Sequence, residues 1–272
     1  MTGMKYFITY GDENYTRSAQ RLAAEARSLG IFDDVRTYGP ADLPDDVKRH
    51  PLMCHARGGG YWYWKPCLLQ ACLRRMQEGD ILVYADAGCS VQPSAEWDRF
   101  FRDLRTKSVV AFRLGYRNKF YCRRSLLDYA RAEQPHWGEY YQVMGGILLL
   151  KKSGASVRLV DDWRQLMDEH PEFVTDVPAE ERKHEAPFFR EHRHDQCVFN
   201  VCLYRCRDQV RIRWENVERI ALFGRQAFLA SRLSDRNPHR VMPRTPFSKF
   251  LTRTFAGRPL SSLRQWYWEK KR

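Results

Sequence analysis

The chain has 272 residues, 43% of them hydrophobic and 14% aromatic, which is enough apolar material to bury a sizeable core and excludes disorder as the default state. Lys and Arg outnumber Asp and Glu by 46 to 33, a formal net charge of +13 whose field favours phosphate-bearing partners such as nucleotides, nucleic acid or anionic lipid. Eight cysteines without a C-x-x-C pair exclude zinc-finger spacing and read as reduced thiols; no apolar run reaches membrane-span length and no secretory signal is visible, so a cytoplasmic location is expected.

In chain order, residues 5–11 read as a strand and 15–29 as a helix with Leu22, Ala26 and Leu29 on one face. A short strand at 35–38 and a polar connection lead to Arg57-Gly58-Gly59-Gly60-Tyr61-Trp62-Tyr63-Trp64-Lys65-Pro66, the densest local signal in the chain. Pro66 suits the first position of a helix, and Leu68, Cys72 and Met76 continue it as an apolar stripe. Residues 81–85, Ile-Leu-Val-Tyr-Ala, have the pattern of a strand buried on both faces of a parallel sheet, with Asp86-Ala87-Gly88 at its carboxyl end.

A helix at 97–104, a strand at 109–112, a helix at 123–132 and an apolar strand at 146–150 follow. The remainder is an amphipathic helix at 157–167, a charged loop at 169–193 and a helix at 195–206. This alternation predicts a layered α/β fold. The pattern fades beyond Phe228, so the chain divides into one main domain, 1–230, and a basic, aromatic-containing tail, 231–272. From Arg236 onward Glu269 is the only acid.

Asp86 sits where open α/β sheets place their ligand crevice, beyond a strand's carboxyl end. A carboxylate there can hold a divalent cation on phosphate oxygens, accept from a ribose hydroxyl, or simply close a turn. Arg57 and Lys65 offer cations, and the glycines between them allow close backbone approach or form a mobile loop. Tyr61, Trp62 and Trp64 supply faces for a base or sugar, or core packing. Lys65 is a cation at a helix N-terminus, which calls for an anion or for solvation. Asp195 opens the late helix, either as a capping or first-turn acid or as a functional carboxylate, which the helix end is expected to keep ionised beside developing positive charge or a metal. His194 is a metal or phosphate contact, or a structural histidine. Gly145 and Gly146 would let a sugar lie against backbone, or mark a bulge.

The ordered set of residues 6–10, Arg57 to Pro66, Gly79 to Cys89, Gly145-Gly146 and His194-Asp195-Gln196 resembles a family of glycosyltransferases with the GT-A nucleotide-diphospho-sugar fold, over roughly residues 4 to 215. The resemblance implies a GT-A-like, Rossmann-type mixed sheet flanked by helices, and transfer of a sugar, hexosyl or related, from a nucleotide-diphosphate donor to a glycan or lipid-linked acceptor, as in polysaccharide biosynthesis. Carried over, Asp195 is the catalytic acid near the reacting centre, and Arg57, Tyr61, Trp64, Lys65, Asp86, Gly88, Gly145, Gly146, His194 and Gln196 bind substrate. Asp86 matches the first acid of an Asp-x-Asp motif and Gly88 stands where the second would be. A divalent cation, Mn2+ or Mg2+, is then expected on Asp86 and His194. The basic tail suits a peripheral position on an anionic inner membrane face. The contrasting readings are a basic nucleic-acid-binding protein, which no recognisable module supports, and a scaffold that binds a nucleotide sugar without turnover.

Overall fold

The central strands are almost continuously apolar, and successive side chains point to opposite faces, so each strand can be covered on both. The computed structural model describes residues 3–214, 217–218 and 226–238. Its strands are β1 (Lys5–Tyr10), β2 (Asp34–Tyr38), β3 (Ile81–Ala85), β4 (Ser90–Val91), β5 (Val109–Arg117), β6 (Tyr141–Lys151), β7 (Val210–Arg213) and β8 (Phe228–Leu229). Six form one sheet in the order β2-β1-β3-β6-β5-β7, while β4 and β8 pair as a separate antiparallel ribbon. β1 runs parallel to β2 and β3, and β5 parallel to β7; β6 is antiparallel to both β3 and β5.

The layered α/β arrangement is the one that the alternation predicts, and the mixed sheet flanked by helices is the one that the resemblance implies. One expectation needs correction: β3 has a parallel neighbour only on its β1 side. An apolar run reports that both faces are covered, and it carries no information on the direction of the next strand. β6 also begins at Tyr141, five residues before the expected start, so Gly145 and Gly146 lie inside the strand.

Helices α1 (Thr16–Ser28), α2 (Trp64–Arg75), α3 (Glu96–Thr106), α4 (Arg124–Glu133), α5 (Gly154–Glu169) and α6 (His194–Arg205) flank the sheet. Leu22 and Ala26 of α1 and Trp97 and Phe100 of α3 pack with Val83 and Ala85 on one face. Leu68 of α2, Leu126 of α4, Trp163 of α5 and Phe199 of α6 pack with Leu82 and Tyr84 on the other. α6 is buried almost throughout, so its first turn can be held rigidly at the sheet's rim. No helix among the described residues is long and apolar enough to cross a membrane.

The segment after β8 returns across the rim. The Leu233 amide donates to the Gly88 carbonyl at 3.0 Å. Asp235 then caps α1, its carboxylate accepting from the amides of Arg17 and Ser18 at 2.9 and 2.8 Å and from the Ser18 hydroxyl at 2.9 Å. These amides are helix-end donors without intrahelical partners. The basic cluster and the Trp266–Trp268 aromatics of the tail lie outside the described residues.

Asp235→Ala removes this cap and is expected to cost about 1 kcal/mol, a fall of roughly 2–4 °C in Tm for a chain of this size. Thermal unfolding followed by circular dichroism measures it. An unchanged midpoint would show that the returning segment does not hold α1.

Candidate functional site

The glycine-rich motif is a tight left-handed turn rather than a mobile loop. Gly58, Gly59 and Gly60 have φ of 61°, 57° and 99°, and Tyr61 and Trp62 follow at 50° and 60°. An L-residue in this region loses roughly 1–2 kcal/mol, which is why three of the five positions carry no side chain. At Gly60 a Cβ would also lie 2.6 Å from the Met53 sulfur. The turn delivers Trp64 into the core, where it stacks on Tyr10 with ring centroids 3.7 Å apart and donates its indole N–H to the Gly58 carbonyl at 3.0 Å. Tyr61 is likewise buried and donates to Asp176 Oδ2 at 2.9 Å. Neither expected ligand aromatic lines the site cavity; Trp62 does.

With Trp64 anchored, Lys65 points inward from the first turn of α2 and is only 2% exposed. Its ammonium lies 3.0 Å from Asp195 Oδ2 and 3.3 Å from Asp86 Oδ1. Asp86 follows β3, its amide donating to the Gly146 carbonyl at 2.8 Å, and its Oδ1 accepts from the Tyr84 hydroxyl at 2.5 Å. Asp195 comes from the first turn of α6, 130 positions after Lys65. All three line one cavity of about 330 Å³, together with Arg57, Trp62, Gly145, Gly146, Glu191, His192, Arg193, His194, Gln196 and Arg232.

The neighbours of this trio each have a defined task. A Cβ on Gly146 would fall 2.4 Å from Asp86 Oδ2, so that glycine makes room for the carboxylate. The Gly145 amide donates to Gln196 Oε1 at 3.2 Å, and Gln196 in turn donates to Gln142 at 2.6 Å, tying α6 to β6. Arg57 pairs with Asp176 at 2.9 Å at the mouth. Gly88 does not face open space: a Cβ there would lie 3.0 Å from the Leu233 carbonyl oxygen and 3.3 Å from the Arg232 Cα. Asp176 and Arg232 escape a sequence reading, because one sits in a charged loop and the other in a segment without periodicity.

His194 has φ of 46°, a strained value for a non-glycine residue. Its Nδ1 lies 2.8 Å from the Val174 carbonyl, which assigns the proton to Nδ1 and leaves a lone pair on Nε2. That Nε2 is buried without a hydrogen-bond partner. Burial, aided by His192, lowers the His194 pKa to about 4, so the ring is neutral near pH 7.

The electrostatics correct one expectation. Burial pushes the Asp195 pKa up to about 6 from 3.8, because desolvation, reinforced by Asp86, outweighs the attraction of Lys65. Desolvation acts against the Lys65 ammonium too, yet Asp195 and Asp86 together raise its pKa to about 12. Both shifts are upward, so the sign is the same and only the pH window differs. Asp195 adds stability in full below 3.8 and loses it as pH rises through about 6; Lys65 adds it below 10.5 and loses it as pH rises through about 12.

A divalent cation on Asp86 and His194 does not fit these donors. Asp86 Oδ1 is already engaged by the Lys65 ammonium and the Tyr84 hydroxyl, and Asp86 and His194 belong to no common three-donor group among the described residues. Among the described residues, the three-donor group close enough to hold a metal is instead Cys122, His192 and Cys197. There both His192 nitrogens are engaged, Nδ1 by the Arg123 amide at 3.2 Å and Nε2 by the Phe173 carbonyl at 2.7 Å.

No family model and no curated sequence matches the chain. Among solved structures it is similar to mouse xyloside xylosyltransferase 1 in its apo form, with 17% identity over 76% of this chain and 71% of that one, at a TM-score of 0.42. It is also similar to a glycosyltransferase involved in glycosylation of the major capsid of PBCV-1, with 12% identity, coverage of 78% and 82%, and a TM-score of 0.39. A third is the galactosyltransferase LgtC in complex with donor and acceptor sugar analogues, with 14% identity, coverage of 76% and 72%, and a TM-score of 0.38.

Removing the ammonium leaves the buried Asp195 carboxylate unpaired beside Asp86, whose side chain is 41% exposed. Lys65→Met should therefore lose stability at pH 8, by less than the about 3–5 kcal/mol of a fully buried pair, because solvent screens Asp86. The loss should shrink at pH 5, where Asp195, raised further without its partner, takes up a proton. Urea unfolding at the two pH values tests this, and an equal loss at both would contradict the pairing.

Proposed function

We infer that the protein is a glycosyltransferase that moves a sugar from a nucleotide-diphosphate donor to a hydroxyl of a glycan or lipid-linked acceptor. The observation that carries this reading is the convergence of Asp86 and Asp195 on the Lys65 ammonium, in one cavity at the carboxyl end of β3 that is rimmed by Arg57, Arg193 and Arg232. Transfer requires charge to receive the departing diphosphate, a carboxylate close to the anomeric carbon, and a pocket that aligns donor and acceptor. The rim arginines suit the diphosphate, since guanidinium groups bind phosphate bidentately. Asp195 suits the reacting centre. In the reaction the bond from the anomeric carbon to the diphosphate oxygen breaks, the acceptor oxygen bonds that carbon, and the hydroxyl proton is taken up by a carboxylate.

His194 fits a sugar ligand as well. Its buried Nε2 lone pair lacks a donor, and a sugar hydroxyl would supply one, relieving an unmade hydrogen bond. Gly145 and Gly146 keep the cavity floor free of side chains beside Asp86. The Lys and Arg cluster beyond residue 238 suits an anionic membrane surface, which would bring a lipid-linked acceptor close.

A panel of nucleotide sugars should contain one that raises the Tm, because a ligand that binds only the native state stabilises it. With that donor, Asp195→Asn should lower kcat by roughly 10²–10⁴-fold with the Tm shift retained. Wild-type kcat/KM should fall as pH drops through about 6, where Asp195 of the free protein protonates, and this limb should be missing from the residual activity of Asp195→Asn. Full turnover in Asp195→Asn would remove Asp195 from the chemistry, and a panel without a single stabilising donor would overturn the assignment.

A further inference from the structure

Asp86 is followed by Gly88 where a second metal-binding acid is expected, and the reason is steric. Any Cβ at 88 meets main-chain atoms of Arg232 and Leu233, which are fixed by the Leu233 amide on the Gly88 carbonyl and by Asp235 on α1. The second carboxylate comes instead from Asp195, and the point where the two acids meet holds the Lys65 ammonium. A dication entering there would face a buried like charge a few ångströms away, in surroundings where such repulsion is weakly screened.

We propose that Lys65 is the resident cation of this site and that the protein handles a nucleoside diphosphate without a divalent metal. An ammonium has three N–H donors. Asp86 and Asp195 take two, and the third is available to a phosphate or sugar oxygen in the cavity that Lys65 lines. Arg57, Arg193 and Arg232 also line the cavity, each paired with an acid, Asp176, Glu191 and Glu218, and a diphosphate would exchange with those carboxylates to reach them; Arg232 is carried there by the segment that closes over Gly88. The diphosphate half of this proposal rests on the sugar-transfer reading, whereas the exclusion of metal does not.

The test compares Tm in EDTA with Tm in MnCl2, without and then with UDP, GDP or ADP. Wild-type protein alone should melt at the same temperature in both buffers, and the diphosphate that stabilises it should do so equally in both. Lys65→Ala should melt lower in EDTA and recover by several degrees in MnCl2, since the two carboxylates are then free to bind the ion. Lys65→Arg, which keeps a cation and serves if the alanine variant does not fold, should be indifferent to MnCl2. A rise in wild-type Tm with MnCl2 alone, or diphosphate binding that EDTA abolishes and MnCl2 restores, overturns the proposal. If none of the three diphosphates shifts wild-type protein in either buffer, the sugar-transfer reading loses support, while the metal response of the protein alone still decides the present one.

Discussion

A single buried ammonium constrains most of this molecule's functional half. Lys65 is almost wholly buried, bordering the cavity, and holds Asp86 and Asp195 within 3.3 and 3.0 Å. A charge so placed is stable only with both partners present, because each carboxylate offsets part of the desolvation that it and the lysine undergo. The trio therefore ties the strand end after β3, the first turn of α2 and the first turn of α6 to one point on the rim.

The surrounding backbone is shaped to keep that point intact. A left-handed turn of three glycines and two strained aromatics aims Lys65 inward and drives Trp64 onto Tyr10. Gly146 leaves space that the Asp86 carboxylate fills, and the Tyr84 hydroxyl fixes that carboxylate's orientation. Burial and Asp86 hold the Tyr84 pKa well above its usual value, so it remains a donor. His194, in the same cavity, combines a strained backbone with a buried Nε2 that has no hydrogen-bond partner. Such departures from relaxed geometry persist only where surrounding packing over-determines them, and they gather at working sites.

The segment ending near Pro238 contributes to the site although it follows a stretch without recognisable pattern. It pairs β8 with β4, caps α1 through Asp235, covers Gly88 and brings Arg232 to the cavity. One return of the chain thus couples the stability of the first helix to the shape of the pocket mouth.

The sequence by itself determined the layered α/β architecture, since short continuous apolar runs mark strands covered on both faces and a period of three to four marks helices covered on one. It also singled out Asp86, Lys65 and Asp195, because their positions at a strand end and two helix starts are local facts. Only the tertiary structure decided the rest. The reversed direction of β6, the left-handed course of residues 58–62, the packing of Tyr61 and Trp64 away from the cavity, and the entry of Asp176 and Arg232 all depend on contacts between residues far apart in the chain. The protonation of Asp195 belongs with them. A helix end alone lowers a carboxylate's pKa, and the burial that raises it to about 6 exists only once α2, α6 and β3 have closed around it.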